Sequence, residues 1–186
     1  MRNKIIFITA AVLIILAGCL SLRLFRRTPT LQLRETGQTS NRHAERLIRA
    51  NRALIEKDSL FINAFAKRNQ WQMQITPSGL WYEIYHRGTG QKAALGNLVE
   101  IACTLSLADS SRTVCYSSAQ SGNKIFQLGQ GGVETGLEEG LLLLQEGDKA
   151  RFILPPHLAH GLAGDNNLIP PRSVIVYEVE LLKIKN

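Results

Sequence analysis

Apolar and polar residues alternate with a period of two through the second half of the chain. Leu98–Leu107 is the clearest case, with Val99, Ile101, Cys103, Leu105 and Leu107 on one face. Residues 173–183 repeat the pattern, placing Ile175, Tyr177, Val179 and Leu181 together. Shorter runs of the same kind cover residues 80–85, 113–117, 125–128 and 149–154. Period-two runs predict half-buried strands of an antiparallel sheet. Pro77-Ser78-Gly79 and Gly88-Thr89-Gly90 mark turns between them. One helix is predicted among the strands. Thr135-Gly136-Leu137-Glu138 has the form of a capping box, with Thr135 as N-cap. Glu138 and Glu139 suit the positive end of the helix dipole. Leu137, Leu141 and Leu144 form one apolar stripe, so the helix lies across the sheet and the fold class is α+β.

A different period precedes this region. Residues 40–70 lack proline and glycine, and two apolar series recur every seven residues: Leu47, Leu54, Phe61 and Ile48, Ile55, Ile62. That is a helix period. Asn51 and Asp58 interrupt the seam, and Ser40 or Asn41 suits the start as a cap. The pattern fits a helix packed on its own domain, and it also fits an arm that joins two copies in a homodimer. Residues 28–39, polar with Pro29 and Gly37, read as a linker.

The N-terminus carries an address. Arg2 and Lys4 precede an uncharged apolar run, residues 5–16, that is short for a membrane span. Leu16-Ala17-Gly18-Cys19 follows and resembles the bacterial lipobox. The resemblance implies a signal peptide over residues 1–18, cleavage before Cys19 and lipid on its sulfur; a plain anchor helix is the alternative. Arg23, Arg26 and Arg27 would then meet the membrane surface. No acidic run follows Cys19, which favours a lipoprotein facing the periplasm, with the outer membrane preferred over the inner.

Charge divides the same way. The chain of 186 residues has a formal net charge of +7, yet residues 1–76 hold 13 Lys and Arg against 4 Asp and Glu. Residues 77–186 hold 9 against 11, a net of −2. The globular part has no basic stripe, which argues against a nucleic-acid partner. With 45% hydrophobic residues the chain is long enough for one good core.

Five motifs then converge on one family. They are Phe126-Gln127-Leu128-Gly129 followed by Gly132-Val133-Glu134-Thr135-Gly136-Leu137-Glu138-Glu139-Gly140; Gly147-Asp148-Lys149-Ala150-Arg151-Phe152-Ile153-Leu154-Pro155-Pro156; His157-Leu158-Ala159-His160-Gly161; Leu168-Ile169-Pro170-Pro171; and Val176-Tyr177-Glu178-Val179-Glu180-Leu181-Leu182. In this order and spacing they resemble the FKBP-type peptidyl-prolyl cis/trans isomerases over residues 77–186. The resemblance implies a twisted antiparallel sheet wrapped on one short helix, preceded here by a helical arm over residues 40–76. The lipobox, the arm and Thr113-Val114-Cys115-Tyr116-Ser117-Ser118 resemble lipoproteins of Bacteroides relatives, some linked to gliding motility.

The resemblance also implies a site. It places Val133 and Glu134 at a hydrophobic pair whose second backbone N–H holds the ligand. Leu137 stands at a tryptophan floor, His160 at a tyrosine that bonds the ligand, Ile169 at a wall isoleucine and Tyr177 at a phenylalanine under the proline ring. Phe126 is a nearby wall aromatic. Cys103 takes the place of a pocket tyrosine, Cys115 of a phenylalanine and Tyr116 of an aspartate. His160 reads either as a donor to the ligand, which would make activity depend on pH, or as a loop histidine. Cys103 and Cys115 read either as a disulfide or as two buried apolar residues. Rotating an X–Pro bond needs no covalent step, metal or cofactor. The implied function is isomerisation of X–Pro bonds in unfolded, proline-containing exported polypeptides. A peptide-binding chaperone with little catalysis and a structural lipoprotein of an envelope or motility assembly are the alternatives.

Overall fold

The alternation of the sequence is realised in a sheet whose middle strands bury side chains on both faces. The computed structural model describes the backbone of residues 33–185 and the side chains of residues 42–185. The signal-peptide, Cys19 and early linker readings lie outside the described residues. In chain order the elements are α1 (Leu33–Arg68), β1 (Gln74–Ile75), β2 (Trp81–His86), β3 (Leu98–Leu107), β4 (Val114–Ser117), α2 (Ser118–Ser121), β5 (Lys124–Gln127), α3 (Thr135–Leu141), β6 (Lys149–Leu154), a 3-10 turn (Pro156–Leu158) and β7 (Ile175–Lys185). The sheet runs β1-β2-β6-β7-β3-β4, and β5 also pairs with β3. Every pairing is antiparallel.

Register explains how the sheet is covered. Tyr82, Phe152, Tyr177, Leu105 and Tyr116 stand opposite one another across β2, β6, β7, β3 and β4. This row joins the main core, which also holds Leu137, Leu141 and Leu144. The next row, Trp81, Ile153 and Val176, points the other way because the side-chain period is two. Ile62, Phe65 and Ala66, at the end of α1, cover it with Trp71, Met73 and Val174. Burying Ile62 and Phe65 contributes about 1.5–3 kcal/mol each. The chain divides at Ala50 into two units, and this end of α1 belongs to the second, Asn51–Asn186.

Three expectations are corrected. α1 already includes Leu33, so Ser40 and Asn41 lie inside it and residues 33–39 are helical rather than linker. One glycine in a helix costs only about 1 kcal/mol, so Gly37 does not stop it. Second, α3 has Glu134, not Thr135, at its N-cap. Glu138 accepts the Gly129 N–H at 3.1 Å instead of closing a capping box, and the Thr135 hydroxyl turns to the Leu158 carbonyl at 3.5 Å. Third, the outward alternation of Arg151, Glu178 and Glu180 along their strands predicts a solvated face without a catalytic role, yet Arg151 and Glu178 are paired. Arg151 bonds Glu83 at 3.1 Å and Glu178 at 3.3 Å, and its guanidinium lies over Trp71 and Tyr85 at 5.1 and 4.3 Å.

α3 lies very close to the sheet. A Cβ on Gly140 would sit 2.7 Å from the buried Phe152 ring, and one on Gly136 would sit 2.7 Å from Leu154 Cγ. Both glycines are therefore spacers for packing. In G140A, helix propensity favours alanine by about 1 kcal/mol, while overpacking costs about 1–3 kcal/mol. Sterics should win, because Phe152 is fully buried and has nowhere to move. Urea denaturation is expected to show G140A less stable than the parent by about 1 kcal/mol; a more stable variant would show that Phe152 can yield.

Candidate functional site

The end of α3 nearest Glu134, the start of β7 and the loop from Pro155 to Arg172 enclose the candidate site. The loop has three fastenings. Asp165 Oδ1 accepts the backbone N–H groups of Asn167 at 2.9 Å and Ile169 at 2.7 Å. The Tyr116 hydroxyl donates to Asp165 Oδ2, and Asn167 Nδ2 donates to the Tyr116 oxygen at 3.2 Å. Arg172 Nη2 bonds both carboxylate oxygens of Asp58 on α1 at 3.0 Å, and the Arg172 backbone N–H donates to Gly161 O at 3.0 Å. Arg172 has a φ of +57°, a region that costs an L-residue about 1–2 kcal/mol. The ion pair and the backbone bond hold it there.

Inside these fastenings lies a polar cluster. The Tyr177 hydroxyl donates to Glu134 Oε1 and Oε2 at 3.0 and 2.9 Å. His160 Nε2 sits 2.8 Å from Glu134 Oε1. That atom is fully buried and lacks the alignment of a hydrogen bond, so the pair is a close approach rather than a formed bond. Burial, then the charge and hydrogen bond of Glu134, push the Tyr177 phenol well above its ordinary range, so it remains a donor. Beside the cluster is an open cleft of about 370 Å³ lined by Lys124, Gly132, Val133, Glu134, Ala159 and His160.

The ten residues singled out in the sequence fall into three groups. Leu137, Ile169, Tyr177, Cys103 and Cys115 are buried in the main core, and Tyr116, Phe126 and Val133 pack against it. Glu134 and His160 face each other at the cleft. Cys103 and Cys115 are both free and buried, so there is no bridge. The register accounts for this: Ser117 lies opposite Thr104, a bulge follows Leu105, and Cys103 has Val179 as its partner on β7. Burial raises both thiols above their ordinary value, which keeps them in the unreactive form. Ser118 Oγ accepts the Cys103 backbone N–H at 3.0 Å.

Two contributors escaped the sequence reading. Lys124 enters because β5 pairs with β3 at Ile101, which brings its Nζ to 5.8 Å from the Tyr177 ring. No local pattern signals that. Asp165 was legible in principle, since Gly164-Asp165-Asn166-Asn167 is a turn sequence in which aspartate bonds the backbone ahead of it. Among the described residues, no three His, Cys, Asp or Glu side chains cluster as metal ligands would, and no helix is long and apolar enough to cross a membrane.

Residues 89–182 match the family model described as FKBP-type peptidyl-prolyl cis-trans isomerase. FK506-binding protein 2 of Yarrowia lipolytica is 40% identical over 97 residues, 52% of this chain and 66% of that protein. A probable FKBP-type peptidyl-prolyl cis-trans isomerase FkpA of Neisseria meningitidis is 36% identical over 124 residues, 65% of this chain and 44% of that one. The chain thus spans about half to two thirds of the length of these relatives. Among solved structures, FkpA from Escherichia coli superposes with a TM-score of 0.59 at 28% identity, covering 92% of this chain and 80% of that one. AtFKBP13 gives 0.57 at 28% identity, covering 61% and 99%.

Asp165 gives the site a measurable signature. Chiefly through the Tyr116 hydroxyl, and then the Ile169 and Asn167 N–H groups, its carboxyl is lowered from 3.8 to about 2. A lowered value means the fastening is intact above 3.8 and lost as pH falls through about 2. The amide resonances of Asn167 and Ile169 are expected to titrate with a midpoint near 2. A midpoint at the ordinary aspartate value would mean that the loop bonds do not form.

Proposed function

The chain belongs to the FKBP-type peptidyl-prolyl cis-trans isomerase family, and we propose that it accelerates rotation about X–Pro bonds of exported polypeptides in the cleft beside Glu134. The observation that carries this reading is the cleft lined by Val133, Glu134 and His160, where Glu134 bonds Tyr177 of the core that also holds Leu137 and Ile169. Peptide rotation faces a barrier of about 18–20 kcal/mol. For X–Pro bonds both isomers are populated, and they exchange over roughly tens to hundreds of seconds. The transition state is a twisted amide that has lost resonance, so no bond need be made or broken. A site lowers this barrier by removing water from the carbonyl and by offering donors that fit the twisted form better than the planar one. Val133 lines the cleft and supplies apolar wall, with Ile169 in the core behind it; the Glu134 backbone N–H and the His160 ring are the donors that the family resemblance implies. An acceleration of about a million-fold needs roughly 8 kcal/mol of such preference.

A second reading, a peptide-holding chaperone with little catalysis, is favoured by one observation: Glu134 and Tyr177 put polar atoms where the family resemblance implies apolar surface. A protease-coupled assay on an Xaa-Pro peptide separates the two. Acceleration above the uncatalysed rate is expected. I169A, with its fold checked by circular dichroism, is expected to lose about tenfold in kcat/KM, since it removes wall methyl and methylene groups worth about 0.8 kcal/mol each. No acceleration at high protein concentration would leave the chaperone reading.

The N-terminal pattern ending at Cys19 supports a lipid tether that keeps the domain facing the periplasm, preferably at the outer membrane, as in the Bacteroides-type and gliding-associated branch. Residues 40–70 are suited to a homodimer. Leu47, Ile48, Leu54, Ile55 and Phe61 are exposed along α1, while among the described residues of that stretch only Ile62, Phe65 and Ala66 are buried. Sedimentation equilibrium is expected to give a dimer for the mature chain and a monomer for L54E/I55E. A monomeric parent at high concentration would remove the homodimer.

A further inference from the structure

The apolar floor of the site is buried, and at Tyr177 the Glu134 carboxylate stands on it. Leu137 and Tyr177 are 0% exposed and Ile169 is 2% exposed, so a prolyl ring arriving from solvent meets none of them. None of the three lines the cleft either. Glu134 both lines the cleft and bonds the floor at Tyr177, and its side chain is 10% exposed. It is folded inward, with both carboxylate oxygens on the Tyr177 hydroxyl at 3.0 and 2.9 Å and Oε1 2.8 Å from His160 Nε2.

We propose that the Glu134 side chain is an internal plug of the prolyl site, and that it must turn outward before a proline ring can reach Tyr177, Leu137 and Ile169. The inference rests on the isomerase reading of this site and deepens it. Three features let the plug move without disturbing the fold. Glu134 occupies the N-cap of α3, but its side chain bonds none of the helix's N–H groups. Its backbone, at φ −62° and ψ 139°, is unstrained and can stay in place while the side-chain torsions change. Lys124 and His160 line the same cleft and offer polar partners to an outward carboxylate.

The plug also accounts for a pairing that neither residue explains alone. A glutamate here is buried without compensation unless a donor stands opposite, and a tyrosine beneath the proline ring leaves a buried hydroxyl unless an acceptor reaches it. Each satisfies the other, and together they fill the space. A ligand that must first open a closed state binds more weakly by the fraction of molecules that are open. Substrate affinity is therefore set below what the pocket walls alone would give, and a substrate or partner that draws Glu134 outward raises it.

The test uses the whole mature chain and two variants that release the plug from opposite ends. E134V removes it; Y177F keeps the ring but removes the hydroxyl that anchors Glu134. Folding of each is checked by circular dichroism, Kd for an Xaa-Pro peptide is measured by calorimetry, and kcat/KM by the protease-coupled assay. Both variants are expected to bind the peptide about tenfold more tightly than the parent, the gain expected from removing one hydrogen bond to a charged group. If only one of them folds, a gain in that one supports the plug. If every folded variant binds as the parent does or more weakly, the plug is overturned and Glu134 is a substrate contact or a structural residue. Tighter binding without turnover in any form would keep the plug and remove the isomerase reading. Turnover in the parent with no gain in either variant would do the reverse.

Discussion

The close approach of α3 to the sheet is the constraint on which the rest of this structure turns. A seven-residue helix can press against a twisted sheet at this distance only where it presents no side chain at the points of contact, and Gly136 and Gly140 provide those points against Leu154 and Phe152. Because the helix sits low, Leu137 and Leu141 are driven fully into the core. For the same reason the residue before its first turn, Glu134, comes within hydrogen-bonding distance of Tyr177 on the strand beneath. Raise the helix by one methyl group and the packing of the core and the geometry of the site both change.

How legible this was differs between fold and site. The strands were readable because their faces are unequal: Val99, Ile101, Cys103 and Leu105 must all face inward or all face out, and only one choice buries them. β6 and β7 were legible in position but not in their second role, since Ile153 and Val176 point to the outer face and need the end of α1 to cover them. Nothing local to β6 names that partner. The capping box failed for an instructive reason. The pattern at Thr135 was genuine, but Glu134 and Glu138 both had tertiary partners, at Tyr177 and Gly129, and these set the helix start one residue earlier.

At the site, motif order pointed to Val133, Glu134 and His160, which line one cleft, while the side-chain relations there were not written in any motif. The approach of Glu134 to Tyr177 joins positions far apart in sequence, and Lys124 enters through strand pairing alone. Substitutions that look independent in the sequence are coupled in space: the glutamate needs the tyrosine's donor, and the tyrosine needs the glutamate's acceptor. The loop shows the same interdependence, since Asp165 serves Tyr116, Asn167 and Ile169 together.

The outer seam between α1 and the sheet has an optical consequence. The chain has two tryptophans, Trp71 and Trp81, and both belong to that seam. Trp71 lies edge-on to Phe65, with the guanidinium groups of Arg112 and Arg151 over its ring at 5.0 and 5.1 Å. Leu137 occupies the floor where the family resemblance implies an indole, so the protein carries no fluorophore of that kind beside the cleft. Its intrinsic emission therefore follows the seating of the α1 end on the sheet, and filling of the cleft on the opposite face proceeds in the dark.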